Sequence, residues 1–116
     1  MNFYKEVIMS EENGIKVKLA DLQYKYEYAL LRTIEEKHYC YECDEYNNIS
    51  LMYEDEKLKI KDIEVHHNYK IPYCLKCKNK VSISKLNDIV VEIFHLKYKA
   101  INLNAKLLVG HIAENI

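Results

Sequence analysis

Tyr39-Cys40-Tyr41-Glu42-Cys43 and Ile71-Pro72-Tyr73-Cys74-Leu75-Lys76-Cys77 hold all four cysteines of the 116-residue chain, as two Cys-x-x-Cys pairs with thirty residues between them. A Cys-x-x-Cys turn aims two thiolates and several backbone amides at one point, and two such turns complete a tetrahedron around a metal. The spacing therefore predicts a structural Zn2+ site with Cys40, Cys43, Cys74 and Cys77 as its ligands. A shell of four cysteines leaves no open position for substrate or water, so the metal is expected to hold shape and not to catalyse.

Disulfide, redox and iron-sulfur uses of the same thiols stay open beside zinc. Disulfides belong to oxidising compartments, and Met1-Asn2-Phe3-Tyr4-Lys5-Glu6 lacks the basic start and apolar core of a secretory signal, which points to a cytoplasmic protein. A redox pair needs a lowered thiol pKa, whereas Glu42 and Asp44 put acids around the first pair. His38, His66 and His67 lie near enough in sequence to replace a ligand, but with four cysteines present they are expected at the surface or behind the ligands.

Composition fits one compact domain: half of the residues are apolar, with two glycines and one proline, and no apolar run has the length of a membrane span. The net charge of −1 exerts no global pull toward nucleic acid. Charge is nevertheless uneven. Tyr41 to Glu64 carries eight acids against three lysines, and Val65 to Lys106 carries eight lysines against Asp88 and Glu92. Either the two stretches attract one another within the fold, or Lys76, Lys78, Lys80 and Lys85 form a basic rim for an acidic partner or a phosphate backbone.

Hydrophobic periodicity places a helix at about residues 15 to 37, with Leu19, Leu22, Tyr26, Ala29 and Thr33 recurring at three- and four-residue steps. Ser10, followed by Glu11 and Glu12, resembles its N-terminus. The alternation in Ile15-Lys16-Val17-Lys18-Leu19 and in Tyr24-Lys25-Tyr26-Glu27-Tyr28 keeps a hairpin over residues 15 to 28 open as a rival. Phe3, Val7 and Ile8 are enough to dock a strand or helical turn. Between the cysteine pairs the pattern becomes strand-like, with Glu54-Asp55-Glu56 read as a polar turn and about three antiparallel strands expected. Val81-Ser82-Ile83 reads as a short strand. Ser84 then caps a helix whose apolar face runs through Leu86, Ile89, Val90, Ile93, Leu96, Ala100, Leu103, Leu107 and Leu108 until Gly110 stops it.

The expected architecture is α+β: a four-cysteine zinc ribbon with a small antiparallel sheet, flanked by N-terminal and C-terminal amphipathic helices. Residues 1–37 form the helical arm, 38–83 the ribbon and 84–116 the last helix, packed as one unit. The surplus apolar face of that last helix suggests a homodimer or a covered partner surface.

From His38 to about Ala100 the chain resembles the YgiT-type zinc finger of MqsA-like antitoxins. The likeness rests on Tyr39-Cys40-Tyr41-Glu42-Cys43, Leu58-Lys59-Ile60, Ile63-Glu64-Val65 and Ile71-Pro72-Tyr73-Cys74-Leu75-Lys76-Cys77, two knuckles bracketing a long hairpin. It implies zinc on the four cysteines, no catalytic residue, and a structural, protein-binding module. The helix-turn-helix reader of that family has no counterpart after the ribbon, and the N-terminal arm is a further departure.

No phosphate-cradling glycine loop, nucleophile elbow or His-Glu-x-x-His helix occurs. The function expected is that of a non-enzymatic, zinc-stabilised, protein-binding regulator or inhibitor of bacterial or phage origin. It would be antitoxin-like, or an inhibitor of a host defence enzyme such as an anti-CRISPR protein. The alternative is a transcription-associated zinc-ribbon protein that binds nucleic acid through Lys76, Lys78, Lys80 and Lys85, with Tyr73 or Tyr69 as stacking groups.

Overall fold

The computed structural model describes residues 3–114, and the side chains of 11–104. Its elements are α1 (Phe3–Thr33), β1 (His38–Cys40), β2 (Glu45–Asn47), β3 (Ile49–Ile60), β4 (Ile63–Cys74) and α2 (Ser84–Glu114). The fold is α+β, with two helices and two small antiparallel sheets, β1–β2 and β3–β4. The molecule is elongated, 63 × 25 × 18 Å.

α1 is a helix throughout, so the hairpin rival for residues 15 to 28 is wrong. The alternating lysines and tyrosines there are an amphipathic helix with apolar side chains on two faces. Ile15, Leu22, Tyr26 and Leu30 are buried along one face, while Val17, Tyr24, Tyr28 and Leu31 are exposed along the other. Two bounds also differ from expectation. The helix begins at Phe3, leaving Ser10 inside it and not at its cap, and it ends at Thr33 instead of residue 37. Gly14 lies within it although packing does not require a glycine, since a Cβ there would meet nothing within 4 Å. The side chains of Phe3, Val7, Ile8, Leu107 and Leu108 lie outside the described residues.

α1 stops because its last carbonyls find other partners. Thr33 Oγ1 donates to Ala29 O at 2.7 Å, and His38 Nε2 donates to Thr33 O at 2.9 Å. Thr33 O, which also accepts from Glu36 N at 3.2 Å, is thus capped by a side chain from β1, two residues before the first cysteine.

The ribbon turns once between the cysteine pairs. β3 and β4 form a single hairpin of two 12-residue strands, in register from Ile49↔Cys74 to Ile60↔Ile63, so Glu54-Asp55-Glu56 lies inside β3 and the three-strand reading is overturned. The actual turn is Lys61-Asp62, with φ of 47° and 67°. A two-residue turn of this hand matches strand twist but favours Asn-Gly. Lacking that signature, it was hidden, whereas three consecutive acids imitated a loop.

Val81-Ser82-Ile83 is not a strand either. Tyr73 and Lys80 make an isolated bridge, and Val81 N donates to Pro72 O at 3.0 Å. α2 then starts at Ser84, with Ile83 O accepting from the amides of Leu86 and Asn87 and Asn87 Nδ2 reaching Ser82 Oγ at 2.9 Å. It runs past Gly110 to Glu114.

The helices pack antiparallel: Tyr26 and Leu30 of α1 meet Leu86, Val90 and Phe94 of α2, while Ile15 meets Leu103 at the far end. β4 supplies Val65 to the same core, and α2 packs on β4. Tyr26 joins the layers, its hydroxyl donating to Lys70 O at 2.6 Å and its ring standing edge-on to Tyr69.

His67 is buried against this core, 5% exposed. It stacks on Tyr69 with centroids 5.0 Å apart, and its Nδ1 accepts from Lys97 Nζ at 2.8 Å. Burial, reinforced by the Lys97 ammonium, pushes its pKa down to about 4. The folded state therefore binds fewer protons than the unfolded chain between about pH 4 and 6.5, and stability falls as pH drops through that window. His67→Asn should flatten this dependence by about 1–2 kcal/mol, allowing for water's reach to the ring. Urea denaturation of both proteins at a series of pH values from 4 to 7 measures it.

Candidate metal centre

The two Cys-x-x-Cys turns are built differently and meet at the hairpin base. The first is closed by the small β1–β2 ladder, His38↔Asn47 to Cys40↔Glu45. The second continues from β4, where Cys74 N donates to Asn79 O at 2.8 Å and Lys78 N donates to Cys74 O at 2.9 Å. In both, the residue after the second cysteine enters the left-handed region, Asp44 at φ 54° and Lys78 at φ 65°. That turn brings following amides back toward the sulfurs, at a backbone cost that Asp bears more easily than Lys.

All four ligand atoms lie within 4.8 Å of one another. Cys40 Sγ and Cys77 Sγ are 3.5 Å apart, Cys43 Sγ and Cys74 Sγ 3.9 Å. Those separations suit tetrahedral thiolates around one ion. Cys40 and Cys74 are buried and Cys43 and Cys77 partly so, in a small cluster with Ile49 and Val81. The sulfurs are unbridged thiols.

The electrostatics are lopsided. The Cys77 and Lys76 amides, with help from Cys77 Sγ and Asn47, pull Cys74 down to about 6 against the effect of burial. Cys77 is lowered too, chiefly by the Asn79 amide. Proton sharing with Cys77, then burial, pushes Cys43 up to about 12. Cys40 is held above its ordinary value because burial and contacts with Cys77 and Cys74 outweigh the Cys43 amide. The second pair thus offers a thiolate first, and a cation is needed to draw the remaining protons off the first pair.

Two supporting residues had no signal in the sequence. Asn47 Nδ2 reaches Cys74 Sγ at 3.5 Å and Asn79 Nδ2 reaches Cys77 Sγ at 3.4 Å, so each lowered thiolate has an amide donor behind it. Asn47 is placed only by the β1–β2 pairing. His38 is occupied with the α1 carbonyl, His67 with Lys97, and His66 with Glu64 at 3.2 Å and Asp55 at 3.6 Å. None of the three faces the sulfurs.

The lysines following the second pair are partly engaged within the ribbon. Lys76 pairs with Glu45, and Lys80 pairs with Glu54 at 3.2 Å. Tyr73, expected from the sequence as a stacking group beside these lysines, donates its hydroxyl to the same Glu54. The acidic and basic stretches therefore meet across the hairpin base. Around the first turn Tyr41 and Tyr46 each stand edge-on to Tyr39, largely exposed.

No protein-family model matches the chain, and no curated protein or solved structure is similar to it at a significant level.

Because bound metal displaces protons from Cys40 and Cys43, apparent affinity should weaken as pH falls from about 8 to 6. Competition with a colorimetric chelator at each pH measures this, one Zn2+ per chain being the expected stoichiometry. Cys74→Ser should abolish loading and loosen the β1–β2 turn, seen as lost amide protection there, while Asn79→Ala should weaken binding about tenfold or more with stoichiometry intact.

Proposed function

We propose that the chain is a non-enzymatic protein-binding module, stapled by Zn2+ on Cys40, Cys43, Cys74 and Cys77, that acts by covering a site on another protein. The observation that carries this reading is the second apolar face of α1. Val17, Tyr24, Tyr28 and Leu31 lie along the side opposite the buried stripe, and Tyr24 is 71% exposed. Helix faces turned to water are ordinarily polar, and tyrosines combine large apolar area with few rotamers to freeze, which suits them to interfaces. Arg32 lies over the Tyr28 ring at 5.7 Å and places a charge at the rim of this face.

Metal chemistry fits the same reading. Four sulfurs around one ion fill its shell, so the ion would hold the hairpin base in shape and present no site to a substrate. The likeness to the zinc domain of MqsA-like antitoxins agrees with such a role. Regulators and inhibitors that act by occlusion need a rigid frame and a contact face, whether antitoxin-like or directed against a host defence enzyme. Among the described residues no helix is long and apolar enough to cross a membrane.

The test is capture of partners from cytoplasm of the source cell on immobilised Zn2+-loaded protein, beside a Tyr24→Glu/Leu31→Glu variant of unchanged metal content and helicity. Loss of a defined protein partner with the variant, by about tenfold or more in affinity, is the expected outcome. Equal capture by both would discard the face. Retention of nucleic acid alone, released by moderate salt, would favour the lysine-based reading instead.

A further inference from the structure

The two edges of the β3–β4 hairpin are treated differently by the rest of the chain. Ile60 and Ile63 flank the two-residue turn as a mutually bonded pair, and pairs alternate from there, so the outward backbone groups of β4 belong to its even-numbered residues and those of β3 to its odd-numbered ones. On β4 they are largely satisfied. His66 O accepts from Lys97, Lys70 O from Tyr26, Pro72 O from Val81 N, and Cys74 N donates to Asn79 O. Pro72, which has no N–H, stands where the N–H would have pointed outward.

On β3 the same groups of Ile49, Leu51, Tyr53, Asp55, Lys57 and Lys59 meet no hydrogen bond from any described residue. β3 is also the strand that the helices cover less: α2 lies on β4, and β3 reaches the helix core only near its ends, through Leu51 and Ile60. On the helix-facing side of the hairpin its Met52 is 54% and Leu58 45% exposed. A bare edge twelve residues long, with apolar side chains standing over it, is a template for another strand.

The side chains along this edge point to the occupant. We infer that a second copy of the chain pairs its β3 antiparallel to this one, about a two-fold axis at Glu56, to make a continuous four-stranded sheet. That register sets Asp55 opposite the other copy's Lys57, and Lys57 opposite its Asp55, as reciprocal opposite charges within directly bonded pairs. It sets Tyr53 opposite Lys59, and on the helix side Met52 opposite Ile60 and Leu58 opposite Glu54, so Met52 of each copy gains an apolar neighbour. Glu56 meets its own copy at the axis, but its carboxylate is turned back across the hairpin to Tyr69, whose hydroxyl donates to it at 2.7 Å. Moving the axis to Asp55 or Lys57 would set two like charges face to face in place of the reciprocal Asp55–Lys57 pairs. A net charge of −1 per chain offers no long-range repulsion to the pairing.

Sedimentation equilibrium on the full chain loaded with Zn2+, at submillimolar concentration, should give twice the 13.9 kDa chain mass. Amides of Leu51, Tyr53, Asp55, Lys57 and Lys59 should gain protection from hydrogen exchange as concentration rises. Asp55→Lys alone places lysine against lysine and Lys57→Asp alone places aspartate against aspartate, so each should be monomeric with unchanged circular dichroism and metal content. Mixing the two variants restores both opposite-charge pairs and should yield a one-to-one heterodimer. Tyr53→Pro, which removes an outward N–H and leaves the β3–β4 ladder its bonds, should be monomeric too. A wild-type chain that stays monomeric overturns the inference. So does a dimer indifferent to both charge reversals, or a mixture that fails to associate.

Discussion

Four sulfurs brought within 4.8 Å of one another are the constraint on which the molecule turns. Thiolates so close repel, and the proton affinities divide between the pairs: the Cys77 and Lys76 amides draw Cys74 down, while proton sharing with Cys77 and burial hold Cys43 up. A cation would resolve that conflict and in doing so fix three things together. It would set the shape of both turns, the separation of the feet of the β3–β4 hairpin, and the place where the chain leaves α1 for the ribbon, since His38 caps α1 two residues before Cys40. A two-stranded hairpin is marginal in water by itself. Here it is clamped at its base by the sulfurs and pressed along one strand by α2.

How far the sequence could be read depended on how local each determinant was. The ligands were legible because Cys-x-x-Cys encodes its own turn, and α2 was legible because its apolar positions recur along one continuous face. α1 was harder: apolar side chains on two faces look like alternation over any five residues, which is why Tyr24 to Tyr28 imitated a strand. The hairpin turn was missed because Lys61 and Asp62 adopt positive φ without glycine, while Glu54-Asp55-Glu56 reads as a loop and is in fact strand. Asn47, Asn79 and the capping role of His38 depend on pairings between segments, and no periodicity announces those. Gly110 misled in the opposite way: α2 runs past it to Glu114, and one glycine costs a helix only about 1 kcal/mol.

The charge pattern behaves similarly. An acidic stretch followed by a basic one is, in space, two strands and a turn facing one another, with Lys76 on Glu45 and Lys80 on Glu54. Pairs this exposed contribute little stability. Their effect is to favour the register in which the hairpin closes, because a slip by one residue would invert every side chain. The same carboxylate that holds Lys80 also holds Tyr73, so the basic rim is smaller than its lysine content suggests.

The hydrogen bond from Tyr26 to Lys70 spans 44 residues, and the core around it joins a helix from the start of the chain to one from its end. Such contacts form slowly, because the intervening loop must be closed before any burial rewards the closure. A metal held by Cys40 and Cys77 would short-circuit that loop: with the ribbon clipped, α1 and α2 would emerge from neighbouring points and have only to zip together. Ion capture would then come early on the folding route, and metal supply would set the speed with which the helices find each other as well as the stability they reach.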